Sequence, residues 1–344
     1  MNHVALSSFL KIFEPYFEMA SVSEICINKP YEIWVEQHGY FSRYDIPELS
    51  LAYLHQFARL VAEYNHRDIS QEAPTLSSSL PNGYRIQFVI EPACERGSFI
   101  CSMRKPSVVP IAIKEYLKTN MTGNVGVNKN ALLYKYYAEK NYEAFLKLAV
   151  RQRKNIIISG GTSTGKTTFL NGLLTYIPSH ERLITIETDR EVKSDHPNVV
   201  HLLAAEEGRS VADISMLGLL KASLRLRPDR ILVSELRAEE AFPYLRAINS
   251  GHPGSITTLH ANSPEGCFEQ LAFMVIQSGN LLSRQDLITY AKSIIDVVVQ
   301  INRAEDGTRY VSEVYFNETQ KMTEPSISSE SPIKQVFNLT QGSQ

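Results

Sequence analysis

The segment NIIISGGTSTGKTTFL, residues 155–170, constrains this chain more than any other feature of its sequence. A short β-type run leads into a glycine-bounded loop, and a helical pattern follows at once. Residues 160–167 match the pattern GxxxxGK(S/T), in which backbone N–H groups close around a phosphate at the start of a helix. The residues predicted to hold the phosphates are Gly160, Gly161, Thr162, Ser163, Thr164, Gly165, Lys166, Thr167 and Thr168.

Two side chains of this loop have predicted roles in binding the nucleotide and its metal ion. The pattern predicts that Lys166 reaches the β- and γ-phosphates of a nucleoside triphosphate, and that the Thr167 hydroxyl ligates the accompanying Mg²⁺. Because a strand precedes the loop and a helix follows it, the sequence predicts a P-loop domain with a Mg²⁺–nucleotide site.

The rest of the chain predicts the fold of the domain that contains this loop. The β-type runs NIIIS, RLITIE, RILVS and SITTL alternate with helical patterns that start at Gly165, at Ser210 and near Glu239. This alternation predicts an α/β fold, a RecA-like P-loop domain with a mainly parallel sheet. The first hundred residues combine a helical pattern at 51–64 with short β-type runs, which predicts a smaller α+β domain.

The predicted organisation therefore has four parts. An N-terminal α+β domain spans 1–106, an interdomain linker 107–134, the RecA-like ATPase domain 135–316 and a flexible C-terminal tail 317–344. The linker is assigned from its Pro, Gly, Asn and Thr content, and the tail from its polar, Ser- and Pro-containing sequence.

Composition and charge disfavour several other classes of protein. The net charge of -2 gives no general attraction to nucleic acid or anionic lipid. The four cysteines form no CxxC pair, so we expect them to be core residues rather than metal ligands. Since no run reaches the ~18 apolar residues of a membrane span, and Lys11 interrupts the first apolar run, we expect no membrane span and an intracellular location.

Acidic residues follow two of the predicted strands. Glu235 ends the strand of RPDRILVSELR, with Ser234 where a P-loop protein usually has an aspartate. Glu187 ends RLITIE and is followed by Asp189 and Glu191. Because the carboxyl ends of parallel strands share one edge of a sheet, we expect these acids near the P-loop. We assign Glu235 to the Mg²⁺ side, through water, and Glu187 to the base that polarises the attacking water.

A histidine completes the set of candidate catalytic residues. The segment SGHPGSITTLHANSP, residues 250–264, combines a tight turn with a strand that ends at His260. If that strand adjoins the nucleotide site, His260 can approach a γ-phosphate.

At this point the chain resembles a known family. The segments GGTSTGKT, ITIETDREV, SLRLRPDRILVSELR and SGHPGSITTLHAN resemble, in this order and spacing, the Walker A, Asp, Walker B and His boxes of the secretion ATPases. Those proteins are the motors of type II and type IV secretion, type IV pili and conjugation. The segment LPNGYRIQFVIEPACERGSFICSMRKPS is similar to the N-terminal module of the VirB11 class of type IV secretion.

The resemblance implies more than the residues do. It implies a homohexameric ring of two-domain subunits in the cytoplasm, peripheral to the inner membrane, which hydrolyses ATP with Mg²⁺. It implies partners among the inner-membrane components of a secretion apparatus, and no sequence-specific nucleic acid. It also implies that Arg85 and Arg104 of the N-terminal module contact the phosphates, since GYRIQ and SMRKP match the family's arginine positions.

The chain departs from the family pattern in three ways. Its linker has more polar residues than the class usually has, which leaves open whether each N-terminal module sits on its own ATPase domain or on a neighbouring one. The Asp box of the family usually has Glu-Asp-Thr, whereas this chain has Glu187-Thr188-Asp189. Pro243 falls within a stretch that is normally helical, which predicts that the helix begins near Phe242 or kinks.

Two alternative functions remain open from the sequence alone. The first is a nucleotide-binding assembly scaffold with negligible turnover, in which occupancy changes the shape of a ring. The second is a RecA-like nucleic-acid translocase with Arg225, Arg227 and Arg230 lining a channel. The neutral charge balance and the lack of an aromatic and basic groove disfavour the translocase.

Overall fold

The computed structural model describes residues 2–106, 130–205 and 214–317. Its helices are α1 (Asn2–Leu10), α2 (Glu14–Glu18), α3 (Leu51–Tyr64), α4 (Ala131–Ala138), α5 (Tyr142–Arg151), α6 (Lys166–Leu174), α7 (Met216–Ser223), α8 (Ala241–Asn249), α9 (Pro264–Gln277) and α10 (Arg284–Ile294). Its strands are β1 (Val22–Ile27), β2 (Glu32–Gln37), β3 (Tyr40–Asp45), β4 (Thr75–Ser79), β5 (Arg85–Val89), β6 (Ile100–Arg104), β7 (Ile156–Gly160), β8 (Leu183–Glu187), β9 (Val199–Leu203), β10 (Arg230–Val233), β11 (Ile256–Leu259), β12 (Val297–Arg303) and β13 (Arg309–Phe316).

The N-terminal module is built on an antiparallel sheet. Its strands lie in the order β3-β2-β1-β6-β5-β4, and each neighbouring pair is antiparallel. Helix α3 begins where the Ser50 side chain accepts from the Tyr53 N–H, and it buries Leu54, Phe57 and Val61 in the module's core. The other face of the sheet is polar along β5 and β6.

The larger domain is built on the predicted parallel sheet. Its strands lie in the order β13-β12-β7-β11-β10-β8-β9, and all neighbouring pairs are parallel except the β12–β13 hairpin. Strand β7 is fully buried, as expected for a strand in the middle of a sheet that is covered on both faces. The order places the β7 carboxyl end between those of β11 and β12, and this edge forms the site described below.

The N-terminal module packs against the β9 edge of the larger sheet. Cys94 forms an isolated bridge with Leu202, and Arg182 donates to Asn28 over 2.7 Å. Arg190 and Glu95 form an ion pair at 2.6 Å. Apolar residues that follow β5 and begin β6 share a core with the larger domain. The two sheets of one chain are therefore joined by apolar, polar and charged contacts.

The predicted fold class is confirmed, with several local differences. Helix α8 begins at Ala241, so Pro243 lies in its first turn, where no backbone N–H is needed. The helix predicted from Ser210 begins at Met216 with Ser215 as its N-cap, and residues 206–213 lie outside the described part. Strands β1, β3, β4 and β9 and helices α1, α2, α4, α9 and α10 were not predicted. Most of the predicted linker and tail lies outside the described residues, so those boundaries stay predictions.

Candidate nucleotide-binding site

The P-loop joins β7 to α6, and its backbone requires two of its glycines. Gly165 is the N-cap of α6 with φ of 92°, a left-handed conformation that residues with a Cβ rarely adopt. At Gly160 a Cβ would lie 2.5 Å from the Ile301 carbonyl oxygen and 2.7 Å from Thr164 Oγ1. The loop therefore turns tightly enough for successive backbone N–H groups to face the start of the helix, which is the geometry of an anion site.

Lys166 lies inside this loop rather than in solvent. Its Nζ donates to the Gly160 carbonyl over 3.1 Å and to the Gly161 carbonyl over 3.0 Å, and the residue is buried. Burial is the main cause that lowers the pKa of Lys166, and the nearby Glu235 opposes it. An ammonium that is partly stripped of water and held by neutral carbonyls favours an anion that enters the loop.

The structure brings Lys166, His260 and Glu235 together. His260 Nδ1 lies 3.3 Å from Lys166 Nζ, and His260 Nε2 lies 2.9 Å from Glu235 Oε1. A ring protonated on Nε2 donates to Glu235 while Nδ1 accepts from the ammonium. Arg237 donates to the other oxygen of Glu235 over 2.9 Å. Three neighbouring strand ends thus supply a connected row of cation, imidazole and carboxylate beside the P-loop.

In this conformation Glu187 does not have the position that a general base requires, because its carboxylate is not accessible to an attacking water. It is fully buried, and its Oε2 accepts from the backbone N–H groups of Glu191 at 2.9 Å and Val192 at 2.7 Å. Its Oε1 accepts from the Thr185 hydroxyl at 2.7 Å and lies 3.5 Å from Arg190 Nη1. In this conformation the Glu187 carboxylate fixes the loop that follows β8.

The loop held by Glu187 carries another carboxylate to the P-loop. Thr167 Oγ1 donates to Glu191 Oε2 over 2.8 Å, and Asn171 of α6 donates to the Glu191 carbonyl over 3.1 Å. The sequence places Glu191 in an acidic cluster but offers no signal that selects it over Asp189. The contact between Thr167 and Glu191 depends on the turn that Glu187 stabilises. The spacing of residues in the sequence does not predict that turn.

The residues around Thr167 fit a Mg²⁺ ion. A magnesium ion in nucleotide sites takes oxygen ligands, uses one or two protein groups and completes its shell with water and phosphate. The Thr167 hydroxyl and the Glu191 carboxylate supply oxygen donors side by side, and Glu235, which follows β10, lies near Lys166. Within the described ranges no cluster of three His, Cys, Asp or Glu residues could hold a metal ion.

Arg85 and Arg104 are not brought to the P-loop of their own chain. They lie directly opposite each other on β5 and β6, exposed, and line a cavity of about 1140 Å³ with Pro228 and His252. Pro228 and His252 precede β10 and β11, so this cavity lies at the amino-terminal edge of the parallel sheet, opposite the P-loop. Arg85 and Arg104 therefore lie away from the P-loop of this chain.

The fold and this loop define a P-loop protein of the nucleotide-binding α/β class, with an α+β module on one edge of its sheet. The family model described as type II/IV secretion system protein matches residues 10–332. This chain belongs to that family.

Its relatives are VirB11-type proteins of type IV secretion. The VirB11 protein of Bartonella quintana (strain Toulouse) is 37% identical over 327 residues, which cover 90% of this chain and 92% of that protein. The PtlH protein of Bordetella pertussis (strain Tohama I) is 37% identical over 320 residues, which cover 90% of this chain and 94% of that protein. The solved structure of the Brucella suis VirB11 ATPase, in complex with sulphate, matches with a TM-score of 0.85 at 34% identity, covering 92% of this chain and 95% of that one.

In residues 2–106, 130–205 and 214–317, no helix is both long enough and apolar enough to cross a bilayer.

Proposed function

We propose that this chain is the ATP-hydrolysing motor of a type IV secretion system. The observation that carries the proposal is the row of Lys166, His260 and Glu235 at the mouth of the P-loop, with contacts of 3.3 Å and 2.9 Å. In this proposal the γ-phosphate of a bound triphosphate ends beside these groups, and the carboxylate organises Mg²⁺ and water. The names of the relatives support the assignment to type IV secretion, and the ATPase named in the solved structure supports ATP as the ligand. We propose Mg²⁺ as its partner from the oxygen donors of Thr167 and Glu191.

The carboxylates take different parts in this proposal. Glu235 acts on the Mg²⁺ and water side, where His260 and Arg237 orient it. Glu191 acts beside Thr167, at the metal. Glu187 remains the proposed base of the attacking water only if its loop rearranges when nucleotide binds; in the conformation described it supports the position of Glu191.

The positions of two arginines in the N-terminal module support an oligomeric motor. Arg85 and Arg104 are cross-strand neighbours of like charge, and Glu24 of β1 lies opposite Arg104 on its other side. Because they face away from the P-loop of their own chain, we propose that they reach the phosphates of another subunit in a homohexameric ring. Head-to-tail contacts in a ring would supply each site with a neighbour's arginines, as an arginine finger does in trans.

The motor is distinguished from a scaffold by a variant that binds ATP and does not hydrolyse it. A host that lacks the gene would be complemented with the wild type or with Glu235→Gln. We expect the variant to assemble and bind ATP but to restore no secretion, because the amide keeps the shape and loses the charge. Secretion at the wild-type level by Glu235→Gln would favour the scaffold and contradict the motor.

A further inference from the structure

Four charged residues form a row across the antiparallel sheet of the N-terminal module. Glu24 of β1 lies opposite Glu36 of β2 on one side and opposite Arg104 of β6 on the other. Arg104 in turn lies opposite Arg85 of β5. Residues that lie directly opposite each other in a sheet have their side chains on the same face. The row therefore runs from two carboxylates at one end to two guanidinium groups at the other.

The two ends of this row have different partners. Glu36 forms an ion pair with Arg227 of the larger domain. Arg85 and Arg104 are exposed, and in the described part of the chain neither forms an ion pair or a side-chain hydrogen bond. Glu24 is therefore the carboxylate whose charge faces Arg104 across the strands, without a direct contact that would hold the guanidinium in place.

The Glu24 carboxylate is buried, with 3% of the residue exposed, and Ser102 of β6 donates to its Oε1. Burial raises the pKa of Glu24 to about 6, and the neighbouring charge of Glu36 acts in the same direction. The groups that lower this pKa are the Ser102 hydroxyl, Arg104 and, from β8 of the larger domain, Arg182. Glu24 is thus ionised at neutral pH with the support of the Arg104 charge.

Glu24, Arg85 and Arg104 line the cavity of about 1140 Å³ at the amino-terminal edge of the parallel sheet. The larger domain adds Arg153 and Arg225 to the same lining. Six arginines and two acidic residues line this cavity in all, so its electrostatic potential attracts anions. An anion that binds Arg104 there comes close to the Glu24 carboxylate.

A phosphate that enters the cavity competes with Glu24 for the charge of Arg104. A guanidinium that donates to a phosphate with both of its arms no longer offsets the charge of the carboxylate. The buried carboxylate then has a new negative charge nearby and has lost its cation, and both changes favour its protonated form. Binding of the phosphate is thereby coupled to the uptake of a proton.

We propose that Glu24 is the resting counter-ion of Arg104 and a positioning residue for it. The carboxylate offsets the guanidinium charge until a nucleotide phosphate of another subunit takes its place. The inference rests on the proposed function, because it assumes that Arg104 reaches such a phosphate. When the phosphate leaves after hydrolysis, Arg104 returns to Glu24, so the module responds to the occupancy of the neighbouring site.

The test measures proton uptake when a non-hydrolysable ATP analogue binds with Mg²⁺. Calorimetry is carried out on the full chain, assembled into rings, in buffers of different ionisation enthalpy. The wild type should take up about 0.3–0.5 proton per subunit more than Glu24→Gln near pH 6.5, and less than about 0.1 more near pH 8, where the carboxyl group is ionised in both states. The comparison of the two proteins removes the protons that the analogue itself exchanges.

The affinity for the analogue gives a second readout. Near pH 8 the wild-type carboxylate is charged and competes for Arg104, whereas the amide of Glu24→Gln does not. The variant should therefore bind the analogue about threefold more tightly, the scale of one cross-strand charge pair.

Glu32→Gln is the matched control. Glu32 is also 3% exposed, lies on the neighbouring strand β2, forms an ion pair with Arg43 and does not line the cavity. This variant should match the wild type in affinity and in proton uptake. Arg104→Ala changes an exposed residue, so the test does not depend on the folding of the Glu24 variant. It should bind the analogue more weakly and lose the same proton uptake.

Equal proton uptake in the wild type, Glu24→Gln and Arg104→Ala would overturn the counter-ion inference and leave hydrolysis at the P-loop intact. If Arg104→Ala binds the analogue as tightly as the wild type does, Arg104 reaches no phosphate and the inference fails with that contact. A wild-type chain that binds no analogue would overturn the proposed function as well.

Discussion

Replacing Glu187 tests how the site is held together. Glu187→Ala removes the acceptor of two backbone N–H groups, that of Val192, which is buried, and that of Glu191, which is partly buried. An unsatisfied buried donor costs about 1–3 kcal/mol, so we place the loss at Val192 at about 1–3 kcal/mol, and the Glu191 N–H adds less because water can reach it. In Glu187→Gln the amide oxygen can still accept from both N–H groups while the amide nitrogen donates to Thr185. That variant loses mainly charge assistance, which we place at about 2 kcal/mol over the two bonds.

The pKa of Glu187 determines how the difference in stability between the wild type and Glu187→Gln changes with pH. Burial alone would raise the pKa of Glu187, but the nearby His201, hydrogen bonds from the Val192 N–H and Thr185, and the charge of Arg190 lower it below its ordinary value. Because the pKa is lower in the folded protein, the carboxylate stabilises the fold above the unfolded pKa of about 4.3. This stabilisation is lost as the pH falls through the folded pKa. The gap between wild type and Glu187→Gln is therefore constant near neutral pH and shrinks below about pH 4.3.

Urea unfolding of the wild type and both variants measures these differences. Far-UV circular dichroism follows both sheets, whereas fluorescence of Trp34, the single tryptophan, reports the N-terminal module. We expect the transition of the larger domain to shift most in Glu187→Ala and less in Glu187→Gln. Equal shifts in the two variants, or a gap that does not change with pH, would refute the account of Glu187 as the support of this loop.

Three further predictions concern turnover. Glu235→Gln should keep ATP affinity and slow hydrolysis by roughly 100-fold, measured as phosphate release; an unchanged rate would remove Glu235 from the mechanism. Glu191→Gln should raise the Mg²⁺ concentration needed for half-maximal turnover, whereas Asp189→Asn, as its control in the same loop, should not; equal Mg²⁺ dependence in all three proteins would contradict a role at the metal. Arg85→Ala and Arg104→Ala should each lower turnover by about tenfold in intact hexamers. Mixing Arg104→Ala with Lys166→Ala subunits should then restore part of the rate, and no recovery in mixed rings would contradict action in trans.

The sequence predicts the parts of the site that motifs encode locally. The P-loop residues, the strand that carries them and the positions of Glu235 and His260 follow from pattern and from the shared edge of a parallel sheet. Strand β9 was not predicted because its run, VVHLL, is short and lies among polar residues. Helices α9 and α10, which lie between β11 and β12, were not predicted either. The sequence of this region contains no strand-like run and no glycine-rich motif that would mark their positions.

Other features depend on long-range packing and could not be read from the chain. Arg309 reaches Gly165 only because β13 folds back on β12 at the P-loop side of the sheet. Arg85 and Arg104 are neighbours because β5 pairs with β6, but their distance from the P-loop depends on how the module docks on β9. A motif can identify such residues in the sequence, but it does not predict which residues they contact.

The central claim, that the P-loop hydrolyses ATP, is tested most directly by Mg²⁺-dependent phosphate release from the full chain and its Lys166→Ala variant. Lys166 contacts loop carbonyls and the row of His260 and Glu235 rather than the apolar core, so the variant should fold with the same far-UV spectrum and thermal midpoint. We expect the wild type to release phosphate from ATP and the folded variant to release none above background. Equal rates of phosphate release from the two proteins would contradict the claim.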